Sequence, residues 1–198
     1  MFFLNRPTEA QIRTFLRRQR RLARPDMPAR AEDFEPPAGY TVDRNRVRLG
    51  DGPEVYERAC DALRRWEMFR IGWAEVHPRS ADQAVGSTVA MLARGHGLWC
   101  LVSCRVIQRV EGRGAVERTG FVYGTLPGHL LTGEERFAVT WDRAVGSVWF
   151  TIVAFSRPAS LLGAVLRPFV RQYQRRFAPD ALKAMARAVS LECVEPTS

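Results

Sequence analysis

The sequence is poor in the features that build disulfides, thiol metal sites and membrane spans. None of its 4 cysteines lies in a Cys-x-x-Cys pair, which excludes zinc-ribbon and thiol-redox motifs. Cys100 and Cys104 share one side of a predicted strand at a spacing of about 13 Å, whereas a disulfide requires less than about 7 Å. The longest apolar run, residues 148–155, is far shorter than the roughly 20 residues that cross a bilayer. Because the N-terminal patch 1–4 is too short for a signal sequence, we expect a cytoplasmic protein with reduced thiols.

Lysine is almost absent, although the chain is strongly basic. Lys183 is the only lysine among 30 basic side chains, and the formal net charge is +9. Such a charge favours anionic partners through long-range attraction. We attribute the preference for arginine to a GC-rich coding genome more than to bidentate phosphate contacts. We therefore do not expect nucleic acid to be the main partner, while an anionic headgroup or an acidic partner stays open.

Histidine is scarce, and its positions argue against a metal centre. His77, His96 and His129 lie on separate segments and none has a partner at metal-ligand spacing. The sequence also has no Gly-x-Ser-x-Gly elbow and no glycine-rich nucleotide loop. It therefore predicts neither a metal nor a cofactor.

Two segments precede the predicted core. In residues 1–24, a capping-box pattern at Thr8 and the spacing of Ile12, Phe15 and Leu16 predict a helix with an arginine-rich opposite face. Residues 25–39 contain four prolines and are predicted to be a linker or an arm over the domain. The apolar stripe of the helix suits either the domain or a membrane surface.

Residues 40–198 are predicted to form one α+β domain. The apolar spacing predicts a strand at 40–49, a helix over 53–69 and a long helix after Pro158. Between the helices, alternation predicts six strands near 71–76, 85–94, 97–110, 115–125, 135–142 and 147–156. Strands joined by tight turns pair antiparallel, and the apolar face of such a sheet needs a covering helix.

The terminal helix and the last strand carry two further predictions. Pro168 predicts a kink near 164–168, and Asp180 after Pro179 predicts the start of a last helical stretch. The strand at 147–156 is apolar on both faces, so its outer face is expected to be covered by the N-terminal arm or by a second copy in a homodimer.

Several segments together carry a resemblance to a known family. They are Gly120–His129, Gly133–Phe137, Ala154–Pro158, Arg70–Ala74 and Gln174–Phe177. Over about 40–177 the chain resembles a bacterial and plant family catalogued as domain of unknown function nineteen-ninety. The order of elements is similar to the START-like superfamily, which includes the major birch-pollen allergen and aromatic polyketide cyclases.

The resemblance implies a fold but no reaction. The implied helix-grip fold is a curved antiparallel sheet of about seven strands wrapped around a long, proline-kinked C-terminal helix. Where we expect Pro-Glu after His129, this chain has Leu130-Leu131, which makes that loop more apolar.

The leading functional prediction is a cavity between sheet and terminal helix that holds an apolar or amphipathic small molecule, lipid-like or aromatic. Clefts of this kind are mostly apolar with a few convergent polar groups. The predicted lining residues are Trp73, Trp99, Tyr123, Trp141, Leu162, Leu166, Phe169 and Tyr173. The alternative is that these side chains simply fill the core.

An enzyme of cyclase or hydrolase type is the second reading. Its candidates, Tyr123, His129 and Glu134 with the adjacent Glu135, surround the predicted loop at 127–133. A histidine that titrates near neutral pH beside carboxylates suits general acid–base chemistry. A tight loop with a solvated acidic edge has the same residues.

A third reading is a nucleic-acid or membrane-surface module driven by arginine. Arg167, Arg171 and Arg175 recur at a spacing of four on the predicted terminal helix, where like charges repel. Their partners are expected to be acidic side chains of the same protein, an anionic ligand, lipid headgroups or nucleic acid.

Overall fold

The structure is a computed structural model that describes residues 1–23, 38–161, 165 and 167–191. The helices with defined bounds are α1 (Glu9–Gln19), α2 (Pro53–Arg64) and α3 (Arg167–Leu191), and a 3₁₀ turn covers Glu67–Phe69. The strands are β1 (Phe2–Phe3), β2 (Thr41–Asp51), β3 (Ala74–His77), β4 (Thr88–Gly95), β5 (Leu98–Gly112), β6 (Val116–Thr125), β7 (Leu131–Asp142) and β8 (Ser147–Pro158).

These strands form one antiparallel sheet. The chain passes through β3 to β8 in order, each strand pairing with the next, and β2 pairs with β8 at the far edge. β1 adds two residues beside β5. The sheet of seven longer strands curls into a half-barrel around α3. This is the α+β helix-grip architecture that the sequence predicts.

The start of β7 differs from the prediction. The alternation predicts a strand from 135, whereas β7 begins at Leu131 and already pairs with both neighbours at Glu134 and Glu135. The loop before it is correspondingly short. Both glutamates therefore lie in a strand, where successive side chains point to opposite faces of the sheet.

The concave face of the sheet carries the main core. Inward side chains of β6, β7 and β8, among them Phe121, Phe137 and Phe150, are completely buried. α2 packs over them with Leu63, and its N-terminus begins at Pro53, a residue that suits the first helical turn because it lacks an N–H. This core anchors the C-terminal half of α3.

α1 packs on the opposite, convex face. The predicted capping box is present: the Thr8 hydroxyl accepts from the Gln11 amide, and the Gln11 side chain accepts from the Thr8 amide. Ile12 and Leu16 are buried against β4 and β5. The apolar stripe thus lies on the domain. The carbonyl groups of Gln19, the last residue of α1, and of Arg20 and Leu22 just beyond it accept hydrogen bonds from the Arg105 guanidinium.

The predicted helix start at Asp180 is wrong. α3 continues through Pro179, so Asp180 is an interior residue that accepts a hydrogen bond from the Trp73 indole at 2.9 Å. An interior proline costs roughly 3 kcal/mol, and burial of Ala181 and Met185 directly after it opposes that cost. The predicted kink over 164–168 falls largely outside the described residues.

In the part of the chain that the structure describes, no helix is long and apolar enough to cross a membrane.

Candidate ligand cavity

A cavity of about 620 Å³ lies between the concave face of the sheet and the N-terminal part of α3. Its floor comes from β4 to β8 and β2, and α3 closes it from above with Val170, Tyr173, Gln174, Phe177 and Ala178. Most of the wall is apolar, including Met91, Val102 and Ile152. This volume lies within the range of about 300–1,000 Å³ that is usual for small-molecule sites.

Tyr123 and Glu135 form the polar centre of the floor. The register of β6 and β7 places them opposite each other, and the Tyr123 hydroxyl donates to Glu135 Oε2 at 2.7 Å. Tyr123 Oη also lies 3.4 Å from Met91 Sδ. Within the described residues, no other donor and no cation binds the Glu135 carboxylate. Its second oxygen is therefore available to a ligand.

Burial sets the protonation of this pair. Desolvation raises the pKa of Glu135 to about 7, the negative charge of Asp43 adds to that rise, and the hydrogen bond from Tyr123 opposes it. Desolvation also raises the pKa of Tyr123 well above its ordinary value. Tyr123 is therefore a permanent donor, whereas Glu135 changes charge near neutral pH.

His129 lines the same cavity from the loop between β6 and β7. Its Nδ1 accepts a hydrogen bond from the Leu131 amide at 3.0 Å, so the proton of the neutral ring lies on Nε2. Desolvation, with a smaller contribution from the N-terminal ammonium group, lowers the pKa of His129 to about 4, while the hydrogen bond from the Leu131 amide opposes that shift. Near pH 7 this ring is neutral and offers one N–H.

A polar clamp joins α3 to the rim of the sheet. The Arg171 guanidinium binds both oxygens of Asp43 at 2.5 and 3.0 Å and also donates to Gln174 Oε1. Gln174 in turn donates to the Ser156 hydroxyl of β8 at 3.0 Å. The sequence left four kinds of partner open for the helix arginines. For Arg171 the partner is an acidic side chain of the same protein, Asp43.

At the other rim, an aromatic contact fixes α3 to β4. A Cβ at Gly95 would lie 1.4 Å from Tyr173 Oη, so only a residue without a side chain lets this ring approach. Trp73 flanks Tyr173 with ring centroids 5.8 Å apart, and the Arg176 guanidinium lies over the Trp73 ring at 4.6 Å. The cavity is therefore bounded by a salt bridge on one side and by the tilted rings of Trp73 and Tyr173 on the other.

The sequence comparisons assign the family. A family model described as Domain of unknown function (DUF1990) matches residues 24–184. The chain belongs to this family. It is 38% identical to a UPF0548 protein of Deinococcus radiodurans over 95% of this chain and 98% of the relative. A UPF0548 protein of Dictyostelium discoideum is 30% identical over 96% of both chains.

Solved structures of similar shape come from other proteins. Ara h 8.0201 matches with a TM-score of 0.47 and 12% identity, covering 76% of this chain and 98% of the other. A norcoclaurine synthase point mutant of Thalictrum flavum, in complex with a transition-state analogue, matches with a TM-score of 0.46 and 8% identity over 78% and 97%.

The structure places the predicted lining residues of this DUF1990 chain in three different settings. Trp73, Tyr123 and Tyr173 line the cavity. Leu162 and Leu166 lie outside the described residues, as does the side chain of Phe169. Trp99 and Trp141 are not among the described wall residues, and each has a local reason.

Successive side chains of a strand point to opposite faces. Cys100 faces the cavity, so its neighbour Trp99 lies on the convex face. It borders a second depression of about 720 Å³ beside the edge strand β3. Four arginines line that depression, and Glu67 and Glu75 pair with them. These carboxylates offset its charge, so the first cavity is the better candidate.

Trp141 lies on the concave face but under α2, where it packs against Tyr56 with ring centroids 5.8 Å apart. Trp141 therefore belongs to the packed core. This is the alternative stated for the aromatic residues, that they simply fill the core. Its distance from the cavity follows from its place at the far end of β7.

Glu134, a predicted catalytic residue, also borders the cavity, but successive side chains of β7 alternate, so its side chain follows the opposite face from that of Glu135. It pairs with Gly124 and Phe155, and Phe155 is buried in a convex-face cluster. The side chain of Glu135 points into the cavity. Residues two apart on a strand share a face, and Phe137 and Val139 belong to the core. The same alternation therefore places Glu135 on the concave face.

No group of three or more His, Cys, Asp or Glu side chains in the described ranges could hold a metal ion. Cys100 and Cys104 line the cavity as free thiols, and burial raises the pKa of both. Neither thiol is therefore activated as a nucleophile.

Proposed function

We propose that this protein binds one apolar or amphipathic small molecule in the cavity between the sheet and α3. The observation that supports this best is an apolar space of about 620 Å³ that retains polar groups on its floor. If the cavity were only a packing defect, nothing would favour a carboxylate on its floor. Burying a carboxyl group without a partner is costly, so the carboxylate supports a ligand.

Direct binding of a neutral fluorescent probe tests the proposal. N-phenyl-1-naphthylamine is expected to bind with a stoichiometry of one per chain. Ala93 lines the cavity on β4, so Ala93→Phe places a ring in the space and is expected to weaken binding at least tenfold. Ala144 is exposed in the turn before β8, so Ala144→Phe is the matched control and should bind as the parent does.

Two results would contradict this proposal. Equal probe affinity in Ala93→Phe and the parent would place the probe elsewhere on the chain. The absence of any bound molecule in native mass spectra of gently purified protein, together with absent probe binding, would remove the proposal.

A second candidate, supported by the Tyr123–Glu135 pair, is an acid–base enzyme that acts on the bound molecule. A carboxyl group with a pKa of about 7 beside a fixed phenol donor suits proton transfer at neutral pH. We expect Glu135→Gln to abolish any turnover of p-nitrophenyl octanoate while N-phenyl-1-naphthylamine still binds. Turnover that survives this change would exclude Glu135 as the base.

A further inference from the structure

We propose that the molecule held in this cavity carries a protonated amine that pairs with Glu135. The inference rests on the proposed function, since it assigns the chemistry of the ligand in that same cavity. Four features support it. They are the single protein donor on Glu135, the charges around Glu135, the apolar wall of the cavity, and the poor fit of a ligand carboxylate or alcohol to the remaining groups.

The Glu135 carboxylate faces the cavity and has one protein donor. Tyr123 donates to Oε2, and Oε1 has no protein donor among the described residues. A buried carboxylate is stabilised by a cation or by several hydrogen bonds. A ligand ammonium group would supply both a positive charge and an N–H donor.

The groups that surround Glu135 do not supply the missing positive charge. β6 contributes the neutral Tyr123, β5 the thiol of Cys104, and β2 the carboxylate of Asp43. From α3, Arg171 is engaged by both oxygens of Asp43. These two charges offset each other, so none of these groups supplies a positive partner for ionised Glu135.

Two further groups lie near the cavity. His129 is neutral at pH 7 because burial lowers its pKa to about 4. The N-terminal ammonium group donates to the Leu101 carbonyl at 2.9 Å, and its positive charge acts on His129 and Cys100 and does not contribute to the pKa shift of Glu135. A ligand carboxylate would therefore meet Glu135 as a like charge, and an alcohol would leave its charge uncompensated.

The overall charge of +9 does not contradict a cationic ligand. Exposed charges are screened over about 8 Å at physiological salt, whereas a pair inside an apolar cavity is screened much less. The surface arginines therefore slow the entry of a cation more than they weaken the contact with Glu135.

Three ligands that share one chain test the proposal: n-octylamine, 1-octanol and octanoate, each titrated by calorimetry at pH 8. Octylamine is expected to bind at least about tenfold more tightly than octanol, since a charged hydrogen bond is worth about 1.5–3 kcal/mol. Octanoate should bind most weakly. In Glu135→Gln the advantage of the amine should vanish while octanol binding is retained, and Glu117→Gln, at an exposed ion pair with Arg143, should behave as the parent.

The pH dependence supplies a second readout that needs no variant. Because Glu135 must be ionised, octylamine affinity should rise by roughly tenfold from pH 6 to pH 8, while octanol affinity should stay level or fall. This test holds even if Glu135→Gln does not fold. Equal affinity for octylamine and octanol at pH 8, or tighter binding of octanoate, would overturn the amine and leave the cavity proposal standing. If none of the three binds although N-phenyl-1-naphthylamine does, the amine is likewise overturned and the cavity proposal stands; if the probe does not bind either, the cavity proposal itself fails.

Discussion

One sheet and one helix enclose two very different regions. Beneath α2 and the last turns of α3 the concave face is solid, with Phe121, Phe137 and Phe150 completely buried. Beneath the first turns of α3 the same face is hollow. In the described structure α2 contributes no residue to the wall of the cavity, so a second layer of side chains is missing there. The hollow region exists because one helix, instead of two, covers that part of the sheet.

The polar groups of the two regions also differ. In the solid region the Tyr56 hydroxyl bonds to Thr119 at 2.8 Å and the Trp66 indole donates to the Ala81 carbonyl at 2.9 Å, whereas the buried Trp141 indole N–H has no acceptor among the described residues. In the hollow region Glu135 keeps an oxygen without a protein donor among the described residues. The solid region therefore supports stability, and the second Glu135 oxygen is the group that the proposed ligand would bind.

The largest expected effect is in the solid region. Phe137 contacts the rings of Phe121 and Tyr123 at 5.4 and 5.3 Å between centroids, so Phe137→Ala should lower the free energy of unfolding by about 3–5 kcal/mol. Met91→Ala, in the cavity wall, should cost less than about 2 kcal/mol because the side chain already faces empty space on one side. Urea unfolding measures both, and equal losses would contradict the difference between the regions.

The second prediction concerns pH and the hollow region alone. The pKa of Glu135, about 7, lies above its ordinary value, so the stability that it contributes is complete below about pH 4.5 and is lost as the pH rises through 7. The pKa of His129, about 4, lies below its ordinary 6.5, so its contribution is complete above pH 6.5 and is lost as the pH falls through 4. Between about pH 4.5 and 6.5 the two slopes oppose each other.

Single variants should therefore separate the two slopes. In that interval, stability should rise with pH in Glu135→Gln and fall with pH in His129→Gln, each by up to about 1.4 kcal/mol per pH unit. Urea midpoints at several pH values from 4.5 to 6.5 measure this. Parallel profiles in the two variants would show that neither group carries the shift.

Much of this architecture could be predicted from local patterns. Alternation over 147–156 and the turn signals between strands are properties of neighbouring residues, and they gave the order of elements and the covering helix. The start of β7 was not predicted, because Gly133, Glu134 and Glu135 are typical of a loop. Pairing with β6 and β8 overrides that preference.

The site was harder to predict than the fold because a shift of one residue reverses the face of a strand. The sequence selected Trp99, whereas its neighbour Cys100 faces the cavity, and it did not separate Glu134 from Glu135, whose side chains alternate along β7. α3 likewise runs through Pro179 because contacts distant in sequence stabilise it. Contacts of this kind have no signature in a single sequence.

A third, smaller effect should appear when a small side chain is enlarged in each region. Ala62 on α2 is completely buried in the solid core, so Ala62→Leu should overpack it and cost about 1–3 kcal/mol. Ala93 faces the cavity, so Ala93→Leu should leave the free energy of unfolding within about 0.5 kcal/mol of the parent. Thermal or urea unfolding measures both changes. An equal loss at Ala93 would mean that the cavity is filled.

The smallest expected effect on stability lies at the clamp, where the two regions share α3. Arg171→Met removes both hydrogen bonds to Asp43 while it keeps much of the packing of the stem. Because the pair is partly exposed, the loss should be about 1 kcal/mol. Arg175 is exposed on the same helix, so Arg175→Met is the matched control and should change stability by less than about 0.5 kcal/mol.

The clamp should affect ligand release more than stability. The last turns of α3 stay anchored by Ala181, Met185 and Val189 in the solid core, so loss of the Arg171–Asp43 contact frees only the turns above the cavity. Stopped-flow displacement of N-phenyl-1-naphthylamine should therefore show faster dissociation in Arg171→Met, with association and Arg175→Met little changed. Unchanged dissociation would mean that the probe leaves without movement of α3, past the rim formed by Tyr173 and Gly95 or by another path.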